Sequence, residues 1–153
     1  MKIEKLEYLV KTAHEWAKLH HAGQKYAYGS DYFETHILEV EKLVIELMHS
    51  PHYTRTDRYL ARAIALLHDI VEDTDVSITE IQRTFGHRIA QSVLDLTKLS
   101  GEDWESQWSR AKRNYLSLVV KKADMLVNLK VSVTTNKLKL VDKYTLGLRY
   151  LTL

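Results

Sequence analysis

Residues 66–73 read Leu-Leu-His-Asp-Ile-Val-Glu-Asp, four titratable side chains at the end of an otherwise apolar helical repeat. Leu60, Ala63, Ile64, Leu67, Ile70 and Val71 recur at three- and four-residue steps, which predicts one helix running from an N-cap region at Thr56-Asp57 to the acidic run 72–75. His68 and Glu72 are four residues apart, as are Asp69 and Asp73. Each pair is therefore expected to share a helix face, and the four to form a compact polar cluster. Burying them without partners is costly, and a cation would satisfy them. The plainer alternative, solvated acids at a helix end beside a core histidine, stays open on this segment alone.

Outward from this helix the same period recurs. Ile3, Leu6, Val10, Ala13 and Ala17 predict a first helix to about His20, closed by Gly23, with a loop at 22–33. Ile37, Val40, Leu43, Val44 and Leu47 predict a second, stopped near Pro51 because proline disfavours helix in the residue before it. Ser77 and Glu80 have capping-box spacing for a short helix through Phe85 that Gly86 ends, and Ile89, Val93, Leu94 and Leu96 predict another, followed by a polar break at 100–103. The stretch 115–133 is apolar at most positions, which predicts a helix buried on most sides, and a last helix follows at 138–153. With one proline and five scattered glycines, the chain lacks the punctuation of a β-sandwich. The expected fold is all-α, a single-domain helical bundle of roughly six or seven helices over residues 1–153.

Composition narrows the chemistry. The 153 residues include no cysteine, so a metal would have to be held by imidazole and carboxylate. No apolar run reaches the length of a membrane span and the N-terminus lacks a signal-peptide pattern, so a cytoplasmic protein with no membrane partner is expected. Charge is uneven along the chain. Residues 1–109 hold 12 Lys and Arg against 18 Asp and Glu, a net of −6, whereas residues 110–153 hold 10 against 2, a net of +8. Part of the last third is thus a candidate surface for an anion, a solvated basic face being the alternative.

Two more polar residues interrupt apolar helices. His36 opens the second helix, and Asp124 sits in the most hydrophobic one with Asn128 a turn later. Taken singly, a core histidine is more often hydrogen-bonded filler and a buried aspartate more often salt-bridged. Together with His68 and Asp69 they supply two imidazoles and two carboxylates, a set suited to Mn²⁺, Fe²⁺ or Zn²⁺ better than Ca²⁺ or Mg²⁺. Mn²⁺ is the expected ion.

In order, HAGQ (21–24), YFETH (32–36), LLHDIVEDT (66–74), TFG (84–86), LTKL (96–99) and KADMLVNL (122–129) resemble the HD domain of the RelA/SpoT proteins and the small alarmone hydrolases. The likeness covers about residues 10 to 130, and its two longest segments are far more specific than a His-Asp pair. The resemblance implies an HD-type bundle that is a metal-dependent phosphohydrolase, with His36, His68, Asp69 and Asp124 as metal ligands. It further implies that Glu72 and Asp73 position or deprotonate the attacking water and that Asn128 contacts the nucleotide. The implied reaction removes the 3′-pyrophosphate from the alarmone (p)ppGpp, leaving GDP or GTP and pyrophosphate. Selectivity is then expected from Lys25 and Tyr26 on one side of the ion and Asn128 and Lys130 on the other. Developing negative charge would be met by basic residues of the last third, of which Lys121, Lys122 and Lys130 are nearest in sequence to Asp124.

The chain departs from those hydrolases at several positions. Tyr26 stands where an arginine usually stacks on guanine, Met125 where arginine is usual and Val127 where histidine is usual. An aromatic ring can also stack on a base. The competing readings are another HD-type nucleotidase or nucleotide pyrophosphatase, and a non-catalytic helical module whose basic third meets nucleic acid or a protein partner. The set of six metal-site residues counts against the last, and no nucleic-acid partner is expected. The oligomeric state is left open.

Overall fold

Helices carry all the regular structure of the chain. The computed structural model describes residues 1–153, with α1 (Ile3–His20), α2 (Leu38–Leu47), α3 (Arg55–Leu67), the single turn α4 (Ile70–Asp73), α5 (Ile78–Phe85), α6 (His87–Leu96), α7 (Trp104–Ala111), α8 (Tyr115–Thr134) and α9 (Leu138–Thr152). No strand forms; Lys25 and Asp31 make only an isolated antiparallel bridge. The all-α expectation holds. No helix is long and apolar enough to cross a membrane.

The central helix is α3, on which α1, α2, α6 and α8 all pack. Leu60, Ala61 and every residue from Ala63 to Leu67 are buried, joining Leu6, Ala13 and Ala17 of α1, Val40 and Val44 of α2 and Val120 and Ala123 of α8 in one apolar core. Truncating a fully buried leucine such as Leu66 to alanine would cost about 2–5 kcal/mol. A second, smaller apolar cluster of Trp108, Met125 and Leu151 joins α7, α8 and α9, so the single core predicted from the sequence has a satellite. There a Cβ at Gly147 would lie 2.7 Å from the end of the Met125 side chain, so a larger residue would require that flexible side chain to move.

The caps explain where the helices start. The α3 start lies two residues earlier than expected: Thr54 Oγ1 accepts from Asp57 N–H at 3.1 Å while the Asp57 carboxylate accepts from Thr54 N–H at 3.0 Å, a reciprocal capping box. Ser77 and Glu80 form the box foreseen for α5. The sequence reading missed α7, whose first turn is closed by Ser106 N–H donating to Asp103 Oδ1 at 2.7 Å.

Three elements differ from expectation in ways that shape the site. The predicted long third helix breaks at His68-Asp69, where Asp69, with φ −103° and ψ −2°, sits at the edge of the helical region toward the sparsely allowed bridge. The second helix is entered through a widened turn at Phe33–Ile37 of the i→i+5 type, which holds His36. The helix at 115–134 has its apolar burial in the part up to Met125, whereas Leu126 is 40% and Val133 59% exposed and only Ser132 is buried beyond it. That half of α8 forms the side of a groove.

Candidate metal centre

His36, His68, Asp69 and Asp124 come from three separate places in the chain, and one donor atom of each lies within 4.8 Å of the others. His36 arrives on the widened turn before α2, His68 and Asp69 on the break between α3 and α4, and Asp124 from the buried half of α8. His36 Nε2 is 3.4 Å from Asp69 Oδ2 and 3.3 Å from Asp124 Oδ1; His68 Nε2 is 3.0 Å and 3.5 Å from the same two oxygens. Ligand distances of roughly 2.0–2.2 Å at tetrahedral or octahedral angles give donor separations of about 3.0–3.5 Å, so the spacing suits a transition-metal ion.

The nitrogens support that fit. His36 Nε2 and His68 Nε2 are buried and make no geometrically sound hydrogen bond, although carboxylate oxygens are within reach. Their lone pairs are thus aimed past the oxygens, as expected of donors that converge on a common point. His68 Nδ1–H donates to the Ala65 carbonyl at 2.6 Å, which leaves Nε2 with a lone pair available to an ion. Burial opposes charge on the Asp124 carboxyl, yet the Lys121 ammonium at 3.1 Å and the two imidazoles hold it well below the usual carboxylate range. For Asp69 burial is likewise outweighed, by His68 and His36, and its carboxyl is lowered.

Two further side chains support the candidate ligands. Tyr32, absent from the residues foreseen, donates its hydroxyl to Asp69 Oδ2 at 2.5 Å and stacks on His36 with ring centroids 4.8 Å apart and 25° between planes. Asn128 Nδ2 donates to Asp124 Oδ1 at 2.8 Å, while its Oδ1 accepts from Tyr26 at 2.5 Å. Both ends of the Asn128 amide are therefore engaged by protein, and it orients the carboxylate of the candidate ligand Asp124.

The sequence predicted one cluster from His68, Asp69, Glu72 and Asp73. The break at Asp69 divides it. Glu72 Oε1 accepts from Lys98 N–H at 2.5 Å, and Asp73 Oδ2 accepts from Gln24 Nε2 at 3.0 Å. Gln24 is itself fixed by His21, whose Nδ1–H donates to Gln24 Oε1 at 2.7 Å. The loop bearing Lys98 is tied down by Arg110, which donates to the carbonyls of Leu94 and Thr97 and pairs with Glu102 at 2.7 Å. Burial raises both acids: Glu72 against the Lys98 hydrogen bond, and Asp73 with the added charge of Asp69. Carboxyls raised in this way can accept and return a proton nearer neutral pH.

Two cavities flank the cluster. A small one of about 100 Å³ is walled by Asp69, Glu72, Asp124, Lys121, Trp104, Lys143 and Tyr144. A larger one of about 390 Å³ holds Lys25, Tyr26, Tyr28, Asn128, Lys137 and, again, Tyr144. Tyr144 thus stands between them, its phenol pushed up to about 12 by burial and the charges of Asp124 and Asp69, so that it remains a donor. Of the foreseen substrate contacts, Lys25, Tyr26 and Asn128 meet in the larger cavity. Lys130 does not; it faces a separate groove between α2 and α8 with Glu39, Leu43 and Val127. Of Lys121, Lys122 and Lys130, only Lys121 lines the small cavity. Tyr32, Trp104, Lys143 and Tyr144 escaped the sequence reading, and only Tyr32, inside the YFETH segment, carried a signal there.

Residues 13–146 match the HD domain family. Over 114 residues, 74% of this chain, it is 37% identical to the GTP pyrophosphokinase rsh of Brucella ovis, and over 115 residues, 75% of the chain, 34% identical to the guanosine-3′,5′-bis(diphosphate) 3′-pyrophosphohydrolase of Aquifex aeolicus. The aligned segments span 14% and 15% of those two proteins, so the chain corresponds to a small part of each. In three dimensions it is similar to a metazoan ortholog of SpoT described as hydrolysing ppGpp, with a TM-score of 0.71, 20% identity, and coverage of 94% of this chain and 83% of the other. That likeness is one of fold.

Proposed function

This chain belongs to the HD domain family, and from that premise we propose that it is a metal-dependent phosphohydrolase that removes the 3′-pyrophosphate from (p)ppGpp, leaving GDP or GTP and pyrophosphate. The observation that carries the reading is the convergence of His36, His68, Asp69 and Asp124, with His36 Nε2 and His68 Nε2 buried and unpartnered, beside the acids Glu72 and Asp73. The names of the Aquifex aeolicus and Mycoplasma genitalium relatives point to the same substrate.

A divalent ion held by the four ligands, with Mn²⁺ best suited, would supply Lewis-acid chemistry, acidifying water and polarising a phosphoryl oxygen. Glu72, anchored on Lys98 through Oε1, accepts a proton from the attacking water. The resulting hydroxide oxygen bonds to the phosphorus next to the ribose 3′-oxygen, and the bond from that phosphorus to the 3′-oxygen breaks. Glu72 returns its proton to the departing 3′-oxygen, so the acid is regenerated as a carboxylate. Asp73, held by Gln24, keeps the water in line. Lys25 and Tyr26 line the larger cavity, where a nucleoside has room to stack.

Tyr26 favours a second reading, a nucleotidase or nucleotide pyrophosphatase of different base preference, because a ring stacks on any base. Incubation of the purified protein with Mn²⁺ and a nucleotide panel, with products identified by mass, tests both. GDP and pyrophosphate from ppGpp support the first. Orthophosphate released from simple monophosphates, with ppGpp untouched, decides for the second.

A further inference from the structure

Lys143 is a cation that pairs with none of the carboxylates around it. It projects from α9 into the small cavity beside Asp69, Glu72 and Asp124 and forms neither an ion pair nor a hydrogen bond, whereas its neighbour Lys121 is committed to Asp124 at 3.1 Å. Its ammonium instead lies 3.3 Å from the centroid of the Trp104 ring and 5.0 Å from that of Tyr144. Lys98 Nζ is 5.0 Å from the same Trp104 ring. A tryptophan face attracts an ammonium and fixes its position but does not neutralise it. The site therefore keeps a half-buried positive charge in place next to a second and a third.

The volumes say what this charge can meet. The small cavity, at about 100 Å³, has room for a phosphoryl group. The cavity of about 390 Å³ on the other side of Tyr144 is the roomier place for a nucleoside. Once a divalent ion offsets Asp69 and Asp124, the lysines leave the small cavity positive.

We propose that Lys143, held on the face of Trp104, is the subsite for the terminal phosphate of a pyrophosphoryl group, so that the substrate lies with its nucleoside toward Tyr26 and its outer phosphate toward α9. The assignment rests on the phosphohydrolase reading above. It makes Trp104 a positioning residue and Lys143 the group that distinguishes a pyrophosphoryl from a single phosphoryl substituent.

The test is calorimetric titration of inorganic pyrophosphate into the full chain, with Mn²⁺ at equal free concentration in both solutions. Lys143→Met is expected to weaken pyrophosphate binding about tenfold or more, the scale of a charge-assisted contact to phosphate. Lys143→Arg restores most of the affinity, and Lys139→Met, an exposed lysine on the same helix, leaves it at the wild-type value. Orthophosphate binding should change far less in Lys143→Met. Trp104→Leu, which keeps the charge and removes its support, gives an intermediate loss. Equal pyrophosphate affinity in the wild type and Lys143→Met overturns the subsite, whatever the protein hydrolyses. Lys143-dependent pyrophosphate binding in a protein that cleaves no nucleotide keeps the subsite and removes the hydrolase reading.

Discussion

Tyr32 donates its hydroxyl to Asp69 Oδ2 across 2.5 Å and 37 positions of sequence. The same ring stacks on His36, so a single side chain contacts two of the four proposed ligands. Partners of this kind are typically worth 10–100-fold in metal affinity. Tyr32→Phe, which keeps the stack and deletes the hydrogen bond, should weaken Mn²⁺ binding by about tenfold. Asp124→Ala, which deletes a ligand, should leave a folded chain that retains no ion after dialysis. Metal content by plasma spectrometry and helicity by circular dichroism check both. Wild-type metal content in Asp124→Ala would remove that residue from the ligand set.

Glu72 is anchored by the Lys98 N–H and so is separable from the ion. Glu72→Gln retains an oxygen for that hydrogen bond but cannot take a proton. It should keep its metal and its substrate affinity and lose about 10²-fold or more in turnover, the scale of general acid–base catalysis. Single-turnover kinetics at saturating Mn²⁺ measure this. Lost metal with unimpaired turnover would make Glu72 a ligand instead.

Much of this site was legible in the sequence because its chemistry is local and its residue types are out of place. A histidine just before the apolar run of α2, an aspartate within that of α8, and a His-Asp pair ending α3 are conspicuous against a helical period. The break at Asp69 was not legible, since the apolar period runs straight through it to Val71 and only the φ and ψ of one residue interrupt it. Nor was α7, where Trp104, Trp108 and Ala111 repeat over too few residues to stand out from a polar segment. Tyr26 and Asn128 are 102 residues apart, and Lys143 and Trp104 belong to different helices. Spacing along a chain is silent about such meetings. That is also why Lys130, near Asp124 in sequence, was expected at the site and lies instead in the α2–α8 groove.

The Tyr26 hydroxyl holds Asn128 while its ring edge meets His36 at 5.0 Å, so the residue has two separable roles. Tyr26→Ala removes the stacking surface and should raise KM more than it lowers kcat, since stacking binds ground and transition states alike. Tyr26→Phe keeps the ring and should leave KM near the wild-type value while lowering kcat, because Asn128 is then free to release Asp124. Steady-state kinetics on ppGpp separate the two. Unchanged KM in Tyr26→Ala would put the base elsewhere than the larger cavity.

Away from the site, the start of α3 carries the pH dependence of stability. Burial would raise the Asp57 carboxyl, but hydrogen bonds from Tyr115, Thr54 and Arg88 outweigh it and hold the pKa at about 2, below its ordinary 3.8. A carboxylate with a depressed folded pKa stabilises the fold above its unfolded value and loses that stabilisation as pH falls toward the folded one. The shift corresponds to about 2 kcal/mol, present in full at neutral pH and lost between about pH 4 and 2. Arg88 is half exposed, so most of this resides in the Tyr115 and Thr54 hydrogen bonds. Asp57→Asn should therefore unfold at lower urea than the wild type at pH 7, by about that amount. The gap should narrow as pH is lowered through this window, because the wild-type carboxyl is then protonated as well. A gap that stays constant from pH 7 to pH 2 would locate the loss in packing and not in the charge.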